Sequence, residues 1–228
     1  DYNRPDSYER ELDLNDAVSK THFYKDGIEY IREYFVSRTK DVMVIRISSP
    51  NVIGAVSFKA MLNRPERAKV RAEKNQLVME GVLDSGVDGK DGVSFTAKLR
   101  AKTHGGSVSV KDDGLEIKNA NSVELYISAG TDFKIGGQQY KTSVDSLMNK
   151  AFAISCNKIK NDHIADYASY FNRVKLNIGN VNSMSANYQH KLQLTTDERI
   201  RLFQLDDDPA LAALYMQYGR YLFISSTR

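Results

Sequence analysis

Val93–Ala101 reads VSFTAKLRA. Val93, Phe95, Ala97, Leu99 and Ala101 alternate strictly with Ser94, Thr96, Lys98 and Arg100. A period of two divides a β-strand into two faces, here one for a core and one for water. The alternation recurs at Val56, Phe58, Ala60 and Leu62, and at Val123, Leu125 and Ile127. Asp26-Gly27, Asp91-Gly92 and Asp113-Gly114 tolerate the positive φ of tight hairpins and are expected to join neighbouring strands. About ten short strands at this spacing predict an antiparallel sandwich rather than a barrel of βα units.

After Thr131 the pattern changes. Gly136-Gly137 reads as a loop, and from about Ser143 the period becomes helical. Ile164, Tyr167, Ala168, Phe171 and Val174 recur at three- and four-residue steps, an apolar stripe. A polar Asn- and Ser-rich linker is expected from Asn177 to Gln189. Thr195-Thr196-Asp197-Glu198 matches a capping box, and Asp208-Pro209 opens another helix with Asp as cap and Pro in the first turn. The expected division is therefore a β-sandwich over 1–142, a helical linker over 143–194 and a further helical part over 195–228.

In that last helix the only charges between Pro209 and Arg228 are Arg220 and Arg228 itself. Leu211, Leu214, Tyr215, Tyr218, Tyr221 and Leu222 form one stripe, and Ala212, Ala213, Met216, Phe223 and Ile224 cover much of the rest. A helix apolar nearly all round is expected to be buried on most sides. Either it packs on the sandwich, or it belongs to a larger helical domain that continues past Arg228. Left uncovered, it would favour a dimer.

The 228 residues carry 32 Lys+Arg against 29 Asp+Glu, a formal net charge of +3, with 41% apolar and 10% aromatic residues. That composition is globular and excludes a disordered scaffold. No stretch approaches the roughly 18 uncharged apolar residues of a membrane helix. Acids and bases alternate without a long run of one sign, so no nucleic-acid-binding stripe is expected. Cys156 is the single cysteine, which excludes an internal disulfide and a thiolate metal cluster and leaves the compartment open. His22, His104, His163 and His190 have no metal-ligand spacing. The chain opens Asp1-Tyr2-Asn3 without a Met or a signal peptide, so its natural start is expected upstream.

The stretch from His163 through Asp166, Tyr167, Phe171, Arg173, Val174 and Leu176 to Gly179 resembles the junction after the N-terminal β-domain of glycoside hydrolase family 95. So do Thr196-Asp197-Glu198-Arg199 and the run from Asp208-Pro209 through Leu214, Tyr215, Gln217, Tyr218, Gly219, Arg220 and Tyr221 to Leu222. Upstream, Arg10 to Leu14 with Ala17-Val18, and Gly27 to Phe35 with Tyr30, Arg32 and Glu33, are similar to strands of that β-domain. The best-known members of the family are α-L-fucosidases. The resemblance implies a supersandwich of the galactose-mutarotase-like type, then a helical linker and the first helices of a catalytic α/α barrel. It also implies a secreted or periplasmic parent that performs metal-free inverting hydrolysis of terminal α-L-fucosides, or of L-galactosides, in glycans. The family's general-acid Glu, general-base Asp and activating Asn lie in the barrel beyond the position of Arg228, and its Gly-rich opening strand pair has no counterpart here. No catalytic residue carries over, no substrate-binding residue is assigned, and no metal or cofactor is expected. The implied partner is the catalytic barrel of the same polypeptide, with a glycan reached through it.

Read for chemistry directly, the residues offer little. Glycoside hydrolysis needs two carboxyls across the bond. Glu80, Asp84, Asp88 and Asp91 are expected in or beside turns, as are Asp112 and Asp113, all as solvated surface. Asp206-Asp207-Asp208 is either a cation site or, as preferred, a helix cap. His163 and Asp166 share a helix face and could move a proton, but without a nucleophile motif they read as a structural contact. Gly105-Gly106 lacks the context of a phosphate loop and reads as a turn, while Cys156 reads as an inert core thiol. A stand-alone carbohydrate- or protein-binding sandwich is the alternative function, with Tyr24, Tyr30, Tyr34 and Phe35 as its candidate sugar platform.

Overall fold

The computed structural model describes residues 4–111, 114–134, 137–178, 186–205 and 207–227, with backbone alone at 186–188. Its described residues form eleven strands: β1 (Ser7–Asp13), β2 (Val18–Lys25), β3 (Ile28–Ser37), β4 (Val42–Ser48), β5 (Val56–Ala60), β6 (Ala68–Glu73), β7 (Gln76–Asp84), β8 (Asp91–His104), β9 (Ser107–Lys111), β10 (Gly114–Ala120) and β11 (Ser122–Thr131). Five helices follow: α1 (Gln139–Phe152), α2 (Cys156–Phe171), α3 (Ala186–Lys191), α4 (Thr196–Leu202) and α5 (Pro209–Ser226). The chain divides into two compact units, Asp1–Asp13 with Val18–Ile164, and Leu14–Ala17 with Ala165–Arg228.

In the first unit an eight-stranded sheet, ordered β1-β2-β3-β4-β11-β8-β7-β6, packs against a three-stranded sheet ordered β5-β10-β9. Neighbouring strands pair antiparallel throughout, as the alternation predicts. Leu77, Leu99, Ala101, Val123 and Leu125 of the large sheet meet Val56, Ala60, Leu115, Ile117 and Ala120 of the small one. Each fully buried Leu here contributes about 1.5–3 kcal/mol relative to an exposed one.

Asp26-Gly27 forms the β2–β3 hairpin, with φ of 53° and 72°. Asp91-Gly92 does not turn. The β7–β8 connection turns at Gly86 and Gly89 (φ 74° and 71°), and β8 has already begun at Asp91. Gly92 answers a different need: a Cβ there would lie 2.6 Å from the carbonyl oxygen of Leu83. Asp112, Asp113 and Gly136 lie outside the described residues.

The second face of the large sheet corrects the reading of β8. Its polar side was expected in water, yet Thr96 and Lys98 are buried. Helix α1 covers this face, and Val18, Phe35, Val42, Val44 and Tyr126 pack there with Met148 and Ala151 of α1 and Cys156 and Ile159 of α2. Gly130 of β11 allows the close approach, since a Cβ there would sit 2.7 Å from Cγ2 of Val144.

In the second unit, Tyr167 and Phe171 pack with Leu14, Ala17, Tyr221 and Ile224. The Tyr167 hydroxyl donates to the carbonyl of Leu14 at 2.9 Å. The capping box forms as expected: Thr195 N and Oγ1 both reach Glu198 Oε2, at 2.9 and 2.8 Å. Of the expected linker, 179–185 lie outside the described residues, and α3 begins at Ala186. No described helix is long and apolar enough to cross a membrane.

Candidate functional site

A polar cluster lies between β8 and α1. Lys98, Arg100 and Lys102 alternate along one face of β8, and Asp145, Asn149 and Phe152 recur every third or fourth residue on α1. Lys98 pairs with Asp145, its own side chain only 7% exposed. Arg100 Nη1 donates to Asn149 Oδ1 at 2.9 Å, while its guanidinium carbon lies 3.8 Å from the Phe152 ring centre. Lys102 Nζ lies 4.5 Å from the same ring and donates to the Ile154 carbonyl. Cations over ring faces gain electrostatic attraction that grows as water is excluded. Beside them the Tyr126 hydroxyl donates to Glu124 Oε2 at 2.7 Å. Burial first, and the Glu124 hydrogen bond second, push its pKa far above that of a free phenol, so Tyr126 stays protonated. Every cation here is committed to a carboxylate, amide, carbonyl or ring. The cluster fastens a helix to a sheet. Within the cluster Arg100 Nε, and beside it the hydroxyls of Thr96 and Ser128, are buried without a hydrogen-bond partner among the described residues, a local cost.

Glu80 is not beside a turn. It sits inside β7, half-buried, with Lys141 Nζ at 3.0 Å and Arg71 Nη1 at 2.5 Å. Burial alone would raise its pKa, but the hydrogen bonds from Arg71 and Lys141 prevail and hold it low. Asp84 and Asp91 face each other across the base of the β7–β8 hairpin, and Asp88 lies in its loop, all exposed as expected.

His163 is buried with its ring 5.3 Å from that of Phe35, a stacked core contact; Asp166 is half-buried. His22 Nε2 lies 2.8 Å from Glu29 Oε1, and His104 Nε2 lies 3.2 Å from Glu124 Oε1. Cys156 is buried, and desolvation pushes its thiol up to about 11, the opposite of a reactive thiolate. Among the described residues no three His, Cys, Asp or Glu lie close enough to hold a metal ion.

The aromatic candidates separate. Phe35 is core, whereas Tyr30 belongs to a ladder across three strands. Phe23 stacks on Tyr30 at 5.1 Å and 16°, Tyr8 follows at 6.4 Å, and the Arg32 guanidinium lies 4.9 Å from the Phe23 centre. Phe23 came from no sequence motif; its register opposite Tyr30 reveals it. Sugar stacking needs an open ring face; Tyr30 and Arg32 lie against Phe23, whereas Tyr8 at the outer end of the ladder is 59% exposed.

In the second unit, Asp208 is the cap that the sequence suggested, but far more strongly held. Its carboxylate is 2% exposed and accepts from Leu211 N, from Arg199 Nε at 2.9 Å and from Arg199 Nη2 at 2.8 Å. Asp207 is exposed, and Asp206 lies outside the described residues. An open cleft of about 610 Å³ between α3 and α4 is lined by His190, Lys191, Leu194, Glu198, Arg201 and Leu205. Its charges are already engaged, Glu198 by Thr195 and Arg201 by Asp197 at 2.6 Å.

The stripe read on α5 divides. Leu211 is buried and Tyr221 lies 6.2 Å from Tyr167, but Tyr215 is 78% and Phe223 68% exposed. Arg220, the helix's one charge within Pro209–Ser226, turns inward and donates to the carbonyls of Val174 and Phe171, each at 2.9 Å.

Against known proteins, residues 2–135 match the glycosyl hydrolase family 65 N-terminal domain, and residues 155–228 match the glycosyl hydrolase family 95 catalytic domain. "Alpha-L-fucosidase 2" of Arabidopsis thaliana is 29% identical over 97% of this chain and 29% of its own length. "Probable alpha-fucosidase A" of Aspergillus niger is 28% identical over 98% of this chain and 29% of its own length. The chain thus spans under a third of the curated relatives it matches. Among solved structures, "Putative kojibiose phosphorylase from human microbiome" superposes with a TM-score of 0.54 at 12% identity, over 83% of this chain and 28% of that one, a likeness of fold.

Proposed function

We infer that this chain, which belongs to the glycosyl hydrolase family 65 N-terminal domain family, is a scaffolding and non-catalytic part of a glycoside hydrolase. The parent, secreted or periplasmic, would hydrolyse terminal α-L-fucosides, or the related L-galactosides, of glycans with inversion at the anomeric carbon. The helices from 195 onward would open its α/α barrel, and the sandwich would hold the barrel's pocket in register.

One observation carries the non-catalytic role. A general acid for glycoside cleavage needs a raised pKa. Within the stretch matching the family 95 domain, four carboxylates are tied up locally, Asp162 by Lys158, Asp197 by Arg201, Glu198 by Thr195 and Asp208 by Arg199, and all four are shifted the other way. Hydrogen bonds from Lys158, Thr195 and Arg199 respectively are the leading causes, Thr195 serving both Asp197 and Glu198. The alternative is a stand-alone carbohydrate- or protein-binding sandwich, for which the Tyr8, Phe23 and Tyr30 ladder on β1–β3, with Tyr8 exposed, would be the platform.

The test compares this chain with the full-length parent on an aryl α-L-fucoside. The parent should release the β-anomer of fucose first, seen by NMR, and the chain alone should release nothing. Hydrolysis by the chain alone would overturn the reading.

A further inference from the structure

Helix α2 ends without a stop signal of its own. The first glycine after Phe171 is Gly179, and no residue directly after the helix takes a positive φ. The last four carbonyls of a helix have no partner within it and need donors from elsewhere. For α2 these are Ala168 to Phe171. Asn172 N donates to the Ala168 carbonyl at 3.0 Å, Arg173 Nε to that of Ser169 at 2.8 Å, and Arg173 N to that of Tyr170 at 3.3 Å. The Phe171 carbonyl is reached from α5: Arg220 Nη2 donates to it at 2.9 Å and to Tyr170 at 3.4 Å. Arg220 Nη1 donates to the Val174 carbonyl at 2.9 Å.

The guanidinium is held in place for this. Its Nη1 also donates to Gln217 Oε1, one turn earlier on α5, at 2.7 Å, and its carbon lies 4.9 Å from the Phe171 ring centre. A cation at a helix C-terminus meets the negative end of the helix dipole. A planar fork of donors can serve several carbonyls at once, which the point charge of a lysine does less well. The apolar contact of Tyr221 and Ile224 with Tyr167 and Phe171 is non-directional, and α5, apolar nearly all round, could slide or turn against it. The Arg220 bonds allow neither movement.

We propose that Arg220 is the C-cap of α2, delivered by α5, so that the last turn of α2 and the whole of α5 open and close as one unit. The two segments lie 49 residues apart at the Arg220–Phe171 bond, and no local cap can keep the end of α2 formed once α5 leaves. The one charge of α5 thus acts as a conformational latch between two helices of the second unit. This coupling is independent of the hydrolase reading.

Native-state hydrogen exchange of the whole chain in rising, sub-denaturing urea reads the latch directly. The 169–173 amides and the α5 amides should share one opening free energy and one urea slope. Arg220→Met should lower the protection of both segments by a common factor of at least about tenfold, the loss of one hydrogen bond to a charged group, with exchange in β8 unchanged. Arg220→Lys keeps the charge without the fork and should stay well below wild type. Two separate openings in the wild-type chain would overturn the proposal, and that measurement needs no variant to fold. So would an Arg220→Met effect confined to one of the two segments, or full protection in Arg220→Lys.

Discussion

Asp208→Ala removes two things at once from the α4–α5 joint. The cap on Leu211 N contributes about 1 kcal/mol. The second loss is larger, because Arg199, with a side chain only 10% exposed, keeps its charge without its bidentate partner. Leaving one member of a buried pair behind costs about 3–5 kcal/mol. Together the losses come to about 4–6 kcal/mol, or about a thousandfold to ten-thousandfold in the opening equilibrium of α5. Hydrogen–deuterium exchange of the 209–226 amides in the whole chain reads that change directly. Asn caps a helix as well as Asp, so Asp208→Asn should lose only the charge pairing and remain about fivefold better protected than the Ala variant. Equal protection in both variants would mean that the cap contributes nothing. Wild-type protection in Asp208→Asn would refute the role given to the ion pair. The pH dependence has a definite sign. Arg199 and the Leu211 amide lower the folded-state pKa of Asp208, so its contribution is complete above the unfolded value of about 3.9 and fades as pH falls through the lower folded one. Amides of α5 should therefore lose protection below about pH 4 in the wild type and less so in Asp208→Ala.

Three further outcomes follow from the first unit. Gly130→Ala should destabilise it by about 1–3 kcal/mol in urea melts, and Val144→Ala in the same chain should recover part of that loss by removing the methyl that the new Cβ meets. Lys98→Met should be close to neutral, whereas Asp145→Ala, which strands a buried ammonium, should cost more; the reverse order would mean that the pair itself stabilises. Cys156 should resist a thiol reagent at pH 8 in the folded chain and react stoichiometrically once unfolded.

Some of this architecture is written locally. The alternation of β8 and β11, the Asp26-Gly27 hairpin, the Thr195–Glu198 box and the Asp208 cap each depend on residues within a few positions of one another, so a short window contains the whole cause. Glu80 and Asp91-Gly92 depart from the local pattern for the complementary reason. Turn composition around 84–92 admits several hairpins, and the positive φ of Gly86 and Gly89 places the turn earlier than the Asp-Gly pair does. The cluster on β8 had a legible trace that alternation alone overlooks: Asp145, Asn149 and Phe152 share one face of α1, a stripe suited to a row of cations.

Alternation establishes that the two sides of a strand differ, because successive side chains must point to opposite faces. It cannot say what lies over the second side. That Lys98, Arg100 and Lys102 meet a helix instead of water depends on α1 returning across the sheet about fifty residues later, a long-range event absent from any local pattern. For α5, likewise, composition alone required an apolar helix. Only the packing of Tyr221, Ile224 and the inward-turned Arg220 decided which side is held and which remains open. Local propensity sets each element and its polarity, whereas the partner of each face is chosen by contacts that chain distance does not encode.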